Sequence, residues 1–252
     1  MTITIITVSY NNADTIESTM QSVLSQTCPN IEYIVVDGGS TDGTVDIIRK
    51  YESAISKWVS EPDGGIYDAL NKGIAMATGD VIGFLHADDM FYDFFVIAEL
   101  MDIFQKKHCH AVYGDLVYVV RNDSQNIVRF WKSCPFEPKL LKQGWMPPHP
   151  ALFIRRSVYE KYGGFNTGLH ISADYDLILR FFSRPDFVSE YLPHVIVRMR
   201  TGGVSNRSIG NILHKSREDY QAMKKNKTGG FMTLMRKNLS KLSQLRIFRS
   251  WT

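Results

Sequence analysis

Apolar and polar positions in the first ninety residues fall into two alternating periods. Residues 3–10, ITIITVSY, are a short apolar run rich in β-branched side chains, which suits a buried parallel strand. Ile16, Met20, Val23 and Leu24 then recur at helical spacing, with Asn12 or Asp14 placed to cap that helix. IEYIVVDGG (31–39) repeats the strand signal and stops at glycines, and Val45, Ile47, Ile48 and Tyr51 mark a second helix. SKWVSEPDGG (56–65) reads as a third strand ending at Pro62, followed by a helical stripe of Ile66, Ala69, Leu70, Ile74 and Ala77. VIGFLH (81–86) is the fourth strand. Strands and helices alternating at this spacing predict an α/β fold: an open, mostly parallel sheet with helices on both faces.

The second half is less regular. HISADYDLILRFF (170–182) predicts an amphipathic helix with Leu177, Ile178, Phe181 and Phe182 inward and Ser172 as its cap. MPPHPALFIRR (146–156) leads into a strand, and RMRTGGVSN (198–206) ends one at a glycine pair. In the last part Phe231, Leu234, Met235, Leu239, Leu242, Leu245 and Ile247 stand among lysines and arginines.

Charge sharpens this division. From Arg207 onward eleven Lys and Arg face two acidic residues, whereas the first 206 residues carry 18 Lys+Arg and 24 Asp+Glu. An acidic body therefore carries a basic helical tail. The tail's composition is that of an interfacial helix drawn to anionic lipid, or of a helix packed on the body or on a second copy. No nucleic-acid motif accompanies the basic residues, so a nucleic-acid partner is not expected. Three cysteines without CxxC spacing fit a reducing, cytoplasmic compartment. The N-terminus lacks a basic region, and no apolar run reaches the roughly 18 residues of a membrane span, so a soluble chain is expected.

In open α/β sheets ligands bind beyond the carboxyl ends of the strands. Those ends carry Ser9-Tyr10-Asn11-Asn12, Asp37-Gly38-Gly39-Ser40-Thr41-Asp42-Gly43, Glu61-Pro62-Asp63-Gly64-Gly65 and His86-Ala87-Asp88-Asp89. Taken singly these are turn formers. Together they make an acidic rim that accepts an anionic ligand only with a cation between them. A hard divalent ion on carboxylates, its shell completed by phosphate oxygens, points to a nucleotide-diphosphate ligand.

TVSYNN, IVVDGGSTDGT, EPDGGIYDALNKGIAMATGD and FLHADD, in this order, resemble the donor half of family 2 glycosyltransferases, above all bacterial enzymes of exopolysaccharide or colanic-acid type. The resemblance covers about residues 2–205 and implies a single αβα sandwich of the glycosyltransferase A type. It divides the chain into a glycosyltransferase domain, 1–206, and the tail, 207–252; within the domain, 1–105 would hold the nucleotide sugar and 106–206 the acceptor. The implied activity is transfer of a sugar, with inversion, from a nucleotide-diphosphate sugar (a UDP-sugar first) to a hydroxyl of a glycan or lipid-linked saccharide. A peripheral position on the inner face of the cytoplasmic membrane would suit such an acceptor.

The resemblance also assigns residues. Thr7, Val8 and Tyr10 would line the base pocket, and Asp37 would accept from an imide N–H such as uracil's, unless it only holds its turn. Asp14 and Asp42 read as a cap and an Asx turn. Lys72 would face a phosphate or sugar hydroxyl, or pair with Asp68 four residues before it. The family's Asp-x-Asp metal motif falls at His86-Ala87-Asp88-Asp89, with Mn2+ or Mg2+ expected on Asp88 or Asp89 and His86 as third ligand, phosphate donor or bystander. The general base of the family begins a helix, often in a Glu-Asp pair; here Ala173 replaces the Glu, leaving Asp174 first and Asp176 second. His149 would face the acceptor, Trp145 would stack on a sugar or sit in the core, and Arg200 would approach the diphosphate. Two other classes compete: a non-catalytic nucleotide-sugar-binding or scaffold protein, and a dinucleotide-dependent oxidoreductase. The second lacks a GxGxxG turn after its first strand.

Overall fold

The computed structural model describes residues 1–202 and 209–246. β1 (Ile3–Ser9) is buried along its whole length, as its unbroken apolar run requires of a central parallel strand. It pairs in parallel with β2 (Ile31–Asp37) and β4 (Val81–Phe84), and β2 pairs in parallel with β3 (Lys57–Ser60). Side chains alternate across the pleat, so one strand feeds two cores. Ile3 and Ile5 pack with Ile16, Met20 and Val23 of α1 (Ile16–Leu24) and with Ile48 of α2 (Thr44–Lys50). Ile6 and Val8 face the other side, against Ala69 and Leu70 of α3 (Ile66–Met76).

Two local expectations change. Leu24, read as part of the inward stripe of α1, is exposed. Neither Asn12 nor Asp14 caps that helix: its N-cap is Thr15, without a side-chain bond, and Asn12 offers its backbone carbonyl to the amides of Thr15 and Ile16. Asp42 does behave as an Asx turn, its carboxylate accepting the amide and hydroxyl of Thr44.

Beyond β4 the chain adds β5 (Asp89–Phe91), α4 (Val96–Lys106), β6 (Ala111–Val120), β7 (Asp123–Trp131), α5 (Pro138–Leu141), β8 (Leu152–Arg155), α6 (Arg156–Tyr162), α7 (Ala173–Phe182) and β9 (Ser189–Arg200). The sheet runs β3-β2-β1-β4-β8-β6-β9-β5, with β7 against β6. β8 is antiparallel to both β4 and β6, β5 is antiparallel to β9, and β6 and β9 are parallel. The sheet thus keeps the expected parallel centre in the first half and becomes mixed in the second. Leu177, Ile178, Phe181 and Phe182 of α7 are all buried, as the helical pattern predicts.

The basic segment contains α8 (Ile209–Lys225) and α9 (Phe231–Arg246). Ala222 and Met223 of α8 enter the same core as α7. Lys237 of α9 is buried against Asp219 at 2.7 Å, which ties the two helices together. Among the described residues no helix is long and apolar enough to cross a membrane. Residues 203–206 of the RMRTGGVSN stretch and the apolar position Ile247 lie outside the described residues.

Candidate active site

The parallel register brings the ends of β1, β2, β3 and β4 to one edge, and the polar loops follow. Of Thr7, Val8 and Tyr10 at the β1 end, Tyr10 is presented outward, with 65% of its surface exposed. Thr7 and Val8 are buried. The Thr7 hydroxyl accepts from the Tyr33 hydroxyl at 3.0 Å, and the Val8 carbonyl accepts the Ala87 amide at 3.3 Å. Of the three residues expected to line the base pocket, Thr7 and Val8 thus lie in the buried layer next to Tyr10.

Asp37 is fully buried. Its carboxylate accepts the amides of Gly39 (3.1 Å) and Ser40 (2.9 Å), the Ser60 hydroxyl (2.7 Å) and the Ser40 hydroxyl. These four donors make it the clamp of the β2–α2 turn and of the β3 end, the turn-holding reading, with three of them on Oδ2 and one on Oδ1. Lys72 is engaged as well, 2.9 Å from Glu61, 3.8 Å from Asp68 and donating to the Pro62 carbonyl at 3.2 Å. The pair with Asp68 is thus present, and the ammonium braces the β3–α3 loop.

At the β4 end the two adjacent carboxylates separate. Asp88 is partly exposed, whereas Asp89 begins β5 and is fully buried. Asp89 Oδ1 accepts the Arg200 amide at 3.3 Å, and Oδ2 has no partner among the described residues. Burial, reinforced by the Asp88 charge, pushes the Asp89 carboxyl well above the usual carboxylate range, and Arg200 opposes the shift. The Arg200 side chain, expected near the diphosphate, is engaged by the protein itself. Its guanidinium donates to the carbonyls of Asp88 (2.9 Å) and Arg121 (3.2 Å) and to the Ser18 hydroxyl (3.0 Å), behind the carboxylates.

No group of three or more His, Cys, Asp or Glu side chains among the described residues is disposed to hold a metal ion, so the expected trio His86-Asp88-Asp89 is not preassembled. Two hard oxygen donors do remain. An orphaned, desolvated carboxylate oxygen on Asp89 beside the partly open Asp88 suits a divalent cation that completes its shell with ligand oxygens.

His86 links this corner to the second half. Its ring lies 6.0 Å from that of His149, which stacks on Phe84 at 5.8 Å and meets the edge of Phe165 at 5.7 Å. Burial lowers the pKa of both imidazoles, His149 to about 4, while the carboxylate of Asp174 pulls each the other way. His86 Nδ1 and His149 Nε2 have no hydrogen-bond partner among the described residues. The structure therefore gathers His86, His149, Asp88 and Asp174 into one electrostatic neighbourhood.

Asp174 sits in the first turn of α7, partly exposed, with Oδ1 accepting the Tyr175 amide at 2.8 Å. Asp176 does not share that site. It is fully buried, 3.5 Å from Arg180 and 3.6 Å from Lys225, and it accepts from Asn226 at 3.1 Å. Residues two apart on a helix point to nearly opposite sides, so the second candidate base is corrected to a tie between α7 and α8. Trp145 is partly buried and packs against the core, among Phe136, Tyr113 and Phe182 at 5.5–5.9 Å.

Sequence reasoning missed two residues that hold α7 in place. The Tyr67 hydroxyl donates to the Ile171 carbonyl at 2.7 Å. Glu218 accepts the amides of His170, Ile171 and Ser172, taking the capping role expected of Ser172, whose side chain makes no cap. One signal was present: Glu218 and Asp219 are the sole acidic residues in the basic segment from 207 onward.

An open α/β sheet with carboxylates gathered at one edge is the architecture of the glycosyltransferase A fold. Solved structures share it. Residues 1–349 of TarS from S. aureus, in complex with UDP-GlcNAc, superpose with a TM-score of 0.70 and 16% identity over 90% of this chain, which spans 65% of that one. The mannosyltransferase PcManGT from Pyrobaculum calidifontis, in complex with GDP-Man and Mn2+, gives a TM-score of 0.65 and 21% identity over 93% of this chain and 68% of that one. Sequence comparison goes further. The model of glycosyl transferase family 2 matches residues 4–163. An uncharacterized glycosyltransferase of Mycobacterium tuberculosis is 36% identical over 71% of this chain and 68% of its own length. A PGL/p-HBAD biosynthesis glycosyltransferase of Mycobacterium bovis is 33% identical over 80% of this chain and 78% of its own length. The chain belongs to glycosyltransferase family 2.

Proposed function

We propose that this chain transfers a sugar from a UDP-sugar, with inversion, to a hydroxyl of a glycan or lipid-linked saccharide during assembly of a cell-surface glycan. A relative named for PGL/p-HBAD biosynthesis and a structural neighbour holding UDP-GlcNAc support the acceptor and donor classes. The observation that carries the reading is the convergence of Asp174, at the start of α7, on the His86–His149–Asp88 corner at the carboxyl edge of the parallel strands.

In this mechanism Asp174 takes the proton of the acceptor hydroxyl as its oxygen bonds to the anomeric carbon. The bond from that carbon to the diphosphate oxygen breaks, and its electron pair leaves with the nucleotide. One displacement, with base and leaving group on opposite faces of the sugar, inverts the centre. His149, held neutral by burial, adds no positive charge beside the base. Asp88 and Asp89 would hold Mn2+ or Mg2+, the ion found with GDP-Man in PcManGT being Mn2+. Such an ion supplies positive charge for the departing diphosphate. Arg200 fixes the carboxylate pair from behind.

The test is Asp174→Asn. Transfer from a UDP-sugar should fall by about 100-fold or more while UDP binding with Mn2+ is kept. Full turnover in the variant would remove Asp174 as base, and unaltered biological activity would favour a scaffold role.

A further inference from the structure

Where α8 turns into α9 there is a cleft of about 410 Å3, a volume usual for small-ligand pockets. Three lysines line it: Lys142 from the segment after α5, Lys224 from the last turn of α8, and Lys227 from the turn itself. All three are exposed, and among the described residues no carboxylate lines the cleft or pairs with them. The dipole at the end of α8 accounts for Lys224. It does not account for Lys142, which comes from a different element and is held against α9. There the Thr233 hydroxyl donates to the Lys142 carbonyl at 3.2 Å, and a Cβ on Gly144 would lie 2.9 Å from the Thr233 carbonyl. Lys227 adopts a left-handed φ of 56°, a conformation glycine takes more readily. Three like charges thus converge on one concavity, and an anion relieves their repulsion.

Between the lining residues Gly229 and Thr233 the chain carries two open apolar side chains, Phe231 and Met232, 65% and 64% exposed. We propose that the cleft is a phosphate site for an alkyl-chain lipid, with the three ammoniums on the phosphate oxygens and the chain along Phe231 and Met232. Lysine serves a phosphate as a point charge on a flexible stem, so the group is held without a rigid fork. Inorganic phosphate shares the head-group chemistry but leaves the two apolar side chains uncovered. The site stands apart from the donor corner; only the choice of a lipid source rests on the lipid-linked acceptor proposed above. One turn along α9 from Thr233, the Lys237 ammonium packs over the ring of Tyr175, the residue after Asp174, at 3.2 Å. A phosphate in the cleft is therefore held by the helix that packs against the one bearing the base.

The measurement is calorimetric titration of decyl phosphate, below micelle formation, and of inorganic phosphate at the same ionic strength. The titrated proteins are the full chain, the double variant Lys142→Ala with Lys227→Ala, and the double variant Phe231→Ser with Met232→Ser. None of the four side chains is buried, so melting temperatures should match that of the unaltered chain. UDP binding with Mn2+, which reports on the donor corner separately, should also be unchanged. Decyl phosphate should bind the unaltered chain about 10-fold or more tighter than inorganic phosphate. The lysine variant should lose about 10-fold or more of that affinity. The Phe231 and Met232 variant should bring the two probes within about threefold of each other. Equal affinity of the two probes for the unaltered chain overturns the lipid assignment and gives the cleft to free phosphate. Undiminished decyl phosphate binding in the lysine variant, or no binding of either probe to the unaltered chain, overturns the site, and UDP binding kept in that case leaves the donor reading intact.

Discussion

Glu218 accepts the backbone amide of Ser172 at 2.9 Å, reaching from α8 to the residue that opens the helix of Asp174. The same carboxylate takes the amides of His170 at 2.8 Å and Ile171 at 2.9 Å. Three orphan donors thus end on one buried anion, which sets where α7 begins and where Asp174 points. Glu218→Ala leaves those amides unpaired and should cost about 3 kcal/mol of stability. It should also lower kcat at least about tenfold, through displacement of the base, with UDP affinity unchanged. Glu218→Gln retains one acceptor oxygen and should recover part of both. Equal kcat in the alanine variant and the unaltered chain would sever the link to Asp174.

Asp176 gives the complementary case. Its carboxylate is fully buried among Arg180, Lys225 and Asn226, so Asp176→Asn leaves cationic partners uncompensated. Loss of one member of such a network costs about 3 kcal/mol. Denaturant unfolding should show that loss, while turnover well below the melting temperature stays within about threefold. Two aspartates two residues apart are thereby separated: Asp174→Asn removes activity and keeps stability, Asp176→Asn the reverse.

This contrast marks what the sequence exposes. The parallel half was legible because each strand is a run of apolar β-branched residues and each helix a stripe, so Ile3–Ser9 and Ile66–Met76 declare themselves. β7 was not, because Asp123–Trp131 is a strand with no buried position, paired among the described residues with β6 alone, and carries no apolar alternation. Candidate residues were legible by type and loop, since strand ends converge in any parallel sheet. Direction was not. Nothing local to Asp37 says that Ser60 will complete its shell, and nothing near Arg200 says that Ser18 and Arg121 will absorb its donors. For the two aspartates of α7, helical geometry alone allows the separation, because positions i and i+2 never share a face.

Acid should destabilise the chain through His149. Its folded pKa lies near 4, lowered from 6.5 by burial, so the unfolded state takes up a proton first as pH falls. The neutral ring's contribution is fully present above pH 6.5 and is lost as pH drops toward 4. Integrated over that window it reaches about 3 kcal/mol. His149→Phe keeps the stacking with Phe84 and has no group to titrate. The difference in urea midpoint between the two chains should therefore widen in favour of phenylalanine from pH 6.5 to 4. A constant difference across that range would place the proton uptake elsewhere.

Arg200 should matter to metal affinity rather than to nucleotide contact. Its charge and amide are what oppose the burial of Asp89. Arg200→Met should leave Asp89 protonated over a wider pH range and weaken Mn2+-dependent UDP binding, most at low pH where the proton competes. Metal-free UDP binding should change little. An equal loss with and without Mn2+ would instead indicate direct contact with the diphosphate.

The outer face of α9 carries a prediction about location. Phe231, Met232, Met235 and Leu239 are between 45% and 65% exposed and lie within two turns of one another. The two acidic residues of this segment, Glu218 and Asp219, are buried, while Lys224, Lys225, Lys227 and Arg236 are exposed. Among the described side chains of α8 and α9 the outward charge is thus wholly positive, next to an apolar stripe. That pairing suits an anionic bilayer surface, where each basic residue contributes about 1 kcal/mol. The chain should co-sediment with vesicles containing phosphatidylglycerol and much less with phosphatidylcholine alone, and added salt should weaken the association. Phe231→Asp with Met235→Asp should reduce binding about tenfold or more without altering the melting temperature, because neither side chain is buried. Unchanged partition of that double variant would assign the stripe to a protein contact, and concentration-dependent dimerisation of the unaltered chain, lost in the variant, would identify the contact as a second copy.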